Sequence, residues 1–129
     1  MSDDGRPEKL LHEDITEQII GAAFEVHRIL GYGFLEMVYH QALCVELRNQ
    51  GMQVDFEPEI RVNYKGVQVG FYKADLLVQN SVMVELKAAK HYCSEDEAQL
   101  LNELKGTGIR VGLLINFGRQ KVEFKRFIF

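Results

Sequence analysis

Two cysteines, two prolines and no apolar run of membrane-spanning length set the first limits on this 129-residue chain. Cys44 and Cys93 lack the close spacing of metal ligands, so free thiols are expected, as in a reducing compartment. The acidic N-terminus shows no basic stretch followed by an apolar core, so no signal peptide is expected and the compartment reads as the cytoplasm. No membrane partner is expected. No repeat, linker or composition shift divides the chain, which predicts a loose segment over 1–13 and a single domain over 14–129. Net positive charge is lacking too: the balance is -4, which argues against strong non-specific binding to nucleic acid. The deficit is local, however. Asp3, Asp4, Glu8, Glu13, Asp14 and Glu17 outweigh Arg6 and Lys9, and the rest of the chain is neutral. Its end is basic, with Arg110, Arg119, Lys121, Lys125 and Arg126 against Glu123, which suits either a phosphate-binding patch or a strand edge kept soluble by cations.

What the chain does have is a 47% hydrophobic content arranged in clear periods, enough for one core. Ile15, Ile19, Ala22, Ala23, Val26, Ile29 and Leu30 recur at helical spacing from about Asp14, and Gly31 and Gly33 end that helix. A second helix is expected up to Gln50, with Leu35, Val38, Ala42, Val45 and Leu47 as its buried stripe. Strands fill Met52 to Lys87, and Pro58 marks an edge or a strand start. A polar helix follows from Ser94, with Ala98, Leu101 and Leu104 as its stripe. The continuous run from Val111 to Asn116 suits a strand covered on both faces, and Val122 to Ile128 alternates as a last strand. The order predicts an α/β sandwich with one central sheet.

The stretch around which the chain is organised is Asp75 to Lys87. Two apolar runs flank Asn80-Ser81, which reads as a hairpin. On its second strand the period of two places Glu85 and Lys87 on one face, apart from Val82, Val84 and Leu86. Charge in a core-type strand is costly unless paired or bound to metal. A surface Glu-Lys pair with an unrelated Asp would satisfy the pattern. So would a site in which the oxygens of Asp75 and Glu85 hold magnesium or manganese and Lys87 orients water or stabilises phosphate charge. The second reading demands a particular hairpin. A strict two-residue turn would send the two carboxylates to opposite faces, whereas a three-residue turn or bulge would set Asp75 opposite Glu85. Asn80 tolerates the left-handed backbone such a turn requires.

Three further positions bear on the site. Glu36 opens the second helix, where the helix dipole favours a carboxylate, and Tyr39 projects from the same side. Glu36 either serves that dipole alone or reaches the hairpin as a further ligand or base. Gln99 lines the site only if its helix crosses the Asp75–Lys87 face. His27 has no partner cluster and reads as a structural or surface residue.

Taken together, these residues resemble the GxxExxY family, a branch of the PD-(D/E)XK nuclease-like superfamily. The naming motif is Gly33-Phe34-Leu35-Glu36-Met37-Val38-Tyr39, and the superfamily core resembles Asp75 followed by Glu85-Leu86-Lys87. Ala98-Gln99-Leu100-Leu101-Asn102 and Gly112 to Gly118 are also similar. The resemblance implies a restriction-endonuclease-like central mixed β-sheet flanked by α-helices. It implies catalytic roles for Glu36, Asp75, Glu85 and Lys87, with Glu36, Asp75 and Glu85 as ligands of Mg2+ or Mn2+, and substrate contacts from Tyr39 and Gln99. Gln99 matches the start of a Gln-x-x-x-Tyr element in exonuclease-like relatives, but the fourth position here is Glu103, and the frequent histidine before the glutamine is absent.

The function expected on these grounds is a metal-dependent nuclease acting on DNA or RNA. The alternative is a catalytically silent nuclease-fold module, acting through a protein partner or a homo-oligomer, which an exposed apolar patch at Phe124, Phe127 and Phe129 would favour. Core packing of those three is the expectation. A small-molecule phosphohydrolase is the third reading and requires a closed pocket.

Overall fold

The computed structural model describes residues 10–90 and 94–129, so Cys93 and most of the expected loose N-terminal segment lie outside the described residues. The apolar periods fold as three helices, α1 (Glu13–Leu30), α2 (Glu36–Asn49) and α3 (Ser94–Thr107). The strands are β1 (Val54–Phe56), β2 (Glu59–Tyr64), β3 (Val67–Lys73), β4 (Leu76–Val78), β5 (Val82–Lys87), β6 (Val111–Phe117) and β7 (Val122–Ile128). Five of them form a mixed sheet in the order β1-β4-β5-β6-β7, in which only β5 and β6 are parallel. That pair is joined by α3, the crossover that parallel strands require. Among the described residues no helix is long and apolar enough to cross a membrane.

The sheet is covered on both faces, so β6 is buried along its whole length, as its continuous apolar run predicts. Val82, Val84 and Leu86 of β5 join Leu113 and Ile115 of β6 against α1 and α2. Met83 and Leu114 turn the other way, onto Leu100 and Leu104 of α3. Each such side chain contributes about 1.5–3 kcal/mol by leaving water. At Gly112 the absence of a side chain lets α3 settle, because a Cβ there would stand 3.0 Å from Leu100.

Three expectations are corrected. Among the described residues there are two sheets rather than one, since β2 and β3 pair with each other and not with the main sheet. The cause is a bend: Glu57 adopts a left-handed φ of 49°, and Pro58 follows it, so the ribbon leaves the plane of the main sheet. The buried stripe of α2 is Tyr39, His40, Leu43, Cys44 and Leu47, whereas Leu35 and Val45 are exposed. That of α3 is Leu100, Glu103 and Leu104, with Ala98 exposed. In both helices the sequence pattern misleads because a polar side chain occupies the inner face. Finally, Phe124 and Phe129 are exposed, and only Phe127 packs on the core. Cys44 is free and buried, and burial pushes its thiol up.

Candidate metal centre

Asp75 stands where a long antiparallel ribbon bends. The register that pairs Val54 with Val78 continues past the bend to pair Glu59 with Lys73. Across the bend, Glu57 N–H donates to the Asp75 carbonyl at 2.8 Å and Ala74 N–H to that of Pro58 at 3.1 Å. On its other side, Asp75 leads into the hairpin of β4 and β5. Leu76 faces Val84 and Val78 faces Val82, so the turn holds three residues, and the next pair in register is Asp75 with Glu85. This is the turn that a joint carboxylate site demands. Gln79 and Asn80 are both left-handed at φ 53°. Non-glycine residues pay about 1–2 kcal/mol for that conformation. Bonds from Gln79 N to Gln53 O (2.8 Å), from Gln53 N to Gln79 Oε1 (2.6 Å) and from Ser81 Oγ to Gln79 O (2.9 Å) offset it. Asp75 Oδ2 accepts the Leu86 N–H at 2.7 Å, which fixes the carboxylate over the end of β5.

From one side α2 reaches this carboxylate. Glu36 and His40, one turn apart, share a helix face. His40 Nε2 lies 3.4 Å from Glu36 Oε1 and 3.5 Å from Asp75 Oδ2. Ligand atoms of Glu36, His40 and Asp75 lie within 4.8 Å of one another. Both ring nitrogens of His40 are buried and make no hydrogen bond. A buried imidazole that makes no hydrogen bond, held between two carboxylates, fits a cation that takes one nitrogen and two oxygens.

From the other side α3 brings Glu103. Glu85 is 5% exposed and Glu103 0%, both among apolar neighbours. Burial pushes the Glu85 carboxyl up to about 11, aided by its hydrogen bond to Glu103 and the charges of Asp75 and Glu103. Burial raises Glu103 as well, and Asp75 adds to this, against hydrogen bonds from Glu85 and Gln99. Tyr72 of β3 faces the same pair: burial first, then the charges of Glu103 and Glu85, push its hydroxyl up. Gln99 is exposed, and its Nε2 lies 3.4 Å from Glu103 Oε1. It lines an open groove of about 550 Å³ with Tyr72, Lys73 and Asn102.

Lys87 projects beside the acids, with Nζ 3.5 Å from Asp96 Oδ1 of α3. Burial alone would lower its ammonium, but Glu36, Asp96, Asp75 and Glu85 together hold it above the usual lysine range. Lys87 thus stays charged. The chain just beyond it is clamped by buried Asn116, which accepts from Ala89 N at 2.9 Å and donates to Ala89 O at 2.8 Å. His27 is structural: its Nε2 pairs with the Gly118 carbonyl at 2.7 Å.

Tyr39 is placed otherwise than a substrate contact would be. It is fully buried, its ring stacks on Phe117 at 4.5 Å, and its hydroxyl donates to Gly31 O at 2.6 Å. The same hydroxyl takes the Phe34 N–H at 3.4 Å. Tyr39 therefore pins the loop before α2, in which Gly33 has φ 111°, and so positions the start of the helix that carries Glu36. Sequence reasoning missed His40, Glu103, Tyr72 and Asn116. For His40 a signal existed, since it follows Glu36 by four residues. For Glu103 it lay in the same spacing from Gln99, whereas Tyr72 and Asn116 reach the site only through tertiary packing.

A mixed sheet flanked by helices, with an Asp just before one central strand and a Glu-x-Lys triplet on the strand beside it, is a restriction-endonuclease-like arrangement. Residues 13–127 match the model of the PD-(D/E)XK nuclease superfamily, and the chain belongs to that superfamily. Among solved structures it is similar to the crystal structure of SSO0001, with a TM-score of 0.56 and 17% identity, over 91% of this chain and 59% of that one. It is similar also to an alkaline exonuclease (LHK-Exo) from Laribacter hongkongensis, with a TM-score of 0.52 and 13% identity, over 95% of this chain and 72% of that one. This chain thus spans about three-fifths of SSO0001. At such identities the likeness is one of fold. No curated protein matches the sequence.

Proposed function

We propose that this protein is a divalent-cation-dependent nuclease that hydrolyses phosphodiester bonds in DNA or RNA, and that within its superfamily it belongs to the GxxExxY branch. The observation that carries the proposal is the convergence of Glu36, His40 and Asp75 on one point, with Glu85 and the charged Lys87 beside it. Mg2+ or Mn2+ would be held by Glu36, His40 and Asp75; the imidazole in the set favours Mn2+. When bound, the cation supplies a polarised phosphate and a more acidic water. The chain's own contributions are separate. Lys87 presents a fixed ammonium to the attacking water or to charge on the phosphate. Asn116 holds the segment after Lys87, and Tyr39 holds the segment before Glu36. The resemblance to an exonuclease fold supports nucleic acid as the substrate class, and the cytoplasm is the compartment we assign.

The local charge is compatible with that substrate. Arg119 and Lys121, with Lys90 and Glu123, line an open cleft of about 280 Å³ past the ends of β5 and β6. The rest of the basic tail is committed elsewhere: Lys125 pairs with Glu97 at 2.9 Å, Arg110 with the Phe129 carbonyl, and Arg126 with that of Leu11. The test is cleavage of single- and double-stranded DNA and RNA with Mn2+ or Mg2+, by wild type and Asp75→Asn, alongside calorimetric titration of the cation. Cleavage and binding that both vanish in Asp75→Asn support the proposal; cation-independent cleavage, or none on any substrate, defeats it.

One observation favours the module reading as a second possibility for the surface. Phe124 and Ile128 of the edge strand β7 and Phe129 just beyond it lie exposed, with Phe24 against Phe124. Sedimentation at increasing concentration, compared with Phe124→Ser, tests whether this edge pairs with another copy.

A further inference from the structure

The β2–β3 ribbon turns one face to the core and the other to solvent. Ile60 and Tyr72 look inward, onto the cluster of Leu77, Leu100 and Leu104. Because neighbours along a strand alternate, Arg61 and Asn63 look outward, and the register sets them opposite Phe71 and Gln68. All four are exposed, Phe71 at 61%. Lys73 at the base and Lys65 at the tip flank this face, with Glu59, the ribbon's one acid, opposite Lys73. Three cations against one acid thus stand together in a chain whose balance is -4. Arg61, Lys65 and Lys73 form no ion pair with a described carboxylate, whereas Arg28, Lys87 and Lys125 pair with Glu25, Asp96 and Glu97. Lys65 and Gly66, left-handed at φ 49° and 82°, close the tip in a two-residue turn that keeps the ribbon narrow.

We propose that this outer face seats in the major groove of double-stranded DNA and sets the duplex against the site at Asp75. The inference rests on the nuclease reading and narrows its substrate from nucleic acid to duplex DNA. The major groove of DNA, about 12 Å wide, admits a two-stranded ribbon, whereas the deep, narrow groove of an RNA duplex does not. The side chains are of the types that read base edges: Arg61 for guanine, Asn63 and Gln68 for adenine, Phe71 for the thymine methyl. Lys65 and Lys73, on either side of them, suit phosphates. The register shift between Val62 and Asn63 adds twist, so that the ribbon follows the groove. A second copy is a poorer occupant, because a two-fold contact between ribbons sets the same three cations against themselves. Glu57 N–H on the Asp75 carbonyl ties the base of the ribbon to the site. At about 3.3 Å per residue, Gln68 stands no more than roughly 23 Å from Asp75. That span is about seven base pairs of duplex.

The experiment is fluorescence anisotropy of the full chain with a labelled DNA duplex of two helical turns and with its RNA counterpart. Chelator is present, so that binding is read apart from cleavage. Wild type should bind the DNA duplex at least about tenfold more tightly than the RNA. Lys65→Asn combined with Lys73→Gln should weaken DNA binding by about tenfold or more. The slope of log affinity against log salt should fall by roughly 1.8, for two phosphate contacts at about 0.9 each. Asparagine tolerates the left-handed backbone at position 65, so the turn survives. Asn63→Ala combined with Gln68→Ala should leave the slope unchanged and erase the sequence preference found by selection from randomised duplexes. Calorimetric Mn2+ affinity should be the same in every variant, which also shows that each one folds. Equal affinity for DNA and RNA, or DNA binding that survives Lys65→Asn with Lys73→Gln, overturns the ribbon's role. No duplex binding by wild type overturns it too, and a dimer that Phe71→Ser dissolves then assigns the face to a second copy. Ribbon-dependent DNA binding without cleavage under any cation upholds the ribbon and defeats the nuclease reading alone.

Discussion

The two helices that meet at Asp75 present their polar groups with the same four-residue spacing, but their carboxylates stand in opposite solvent environments. Glu36 and His40 come from α2 at a side-chain exposure of 44% for the glutamate; Gln99 and Glu103 come from α3, with the second carboxyl sealed. The open carboxylate is in contact with water and can exchange ligands with it. The sealed one must find a neutral or cation-bound state inside the protein, and Glu85 beside it is pushed up to about 11 by its own burial first and by the hydrogen bond to Glu103 second. Spacing on a helix thus sets which groups meet, and the depth of the helix sets what charge they carry.

The sharpest way to break this contrast is at Lys87, which both sides keep charged. Lys87→Ala should cut single-turnover cleavage by roughly 10²- to 10⁴-fold. Calorimetric Mn2+ affinity should stay nearly unchanged; full activity in the variant would remove Lys87 from the chemistry. Next comes the open side. Glu36→Gln should weaken Mn2+ binding by about tenfold or more, since each ligand is a sizeable part of so small a set. Because Glu36 is half in water, the unfolding free energy from urea melts of the variant should move by less than roughly 0.5 kcal/mol.

The sealed side should answer in the reverse manner. A raised carboxyl holds its proton in the folded state while the unfolded chain has released it, so stability falls as pH rises from about 4.5 toward 11. In chelator, urea melts of wild type should show this decline between pH 5 and pH 9. Glu85→Gln should flatten it and be more stable by on the order of 1–3 kcal/mol at the alkaline end. A parallel pH slope in wild type and variant would contradict the assignment. The smallest effect is reserved for Tyr39→Phe. It keeps the stack on Phe117 and loses the bond to Gly31, which should cost about 1 kcal/mol and lower cleavage modestly through a looser start of α2.

Much of this was legible in the chain. The order of elements and the common face of Glu85 and Lys87 follow from periods of two and 3.6. The length of the hairpin turn did not, because the chain allowed two residues or three, and the fold adopts three with Gln79 and Asn80 left-handed. The helix stripes were not legible either, because Tyr39, His40 and Glu103 are polar residues on inner faces, and a pattern of apolar residues cannot find them. The separate β2–β3 ribbon was hidden as well. Its cause is a left-handed Glu57, a residue type with no special liking for that conformation, so only the folded context reveals it.

The bend in that ribbon has a consequence for engineering. The two backbone bonds that flank it, Glu57 to Asp75 and Ala74 to Pro58, form a closed collar at the base. Beyond the register shift at Val62-Asn63, the tip around Lys65-Gly66 makes no bond to the acids and leaves Tyr64 and Val67 in solvent. The tip can therefore be shortened, extended or replaced by a graft of new sequence while the collar keeps Asp75 in place. The ribbon is a socket for added modules, and its plug end is the part free to vary.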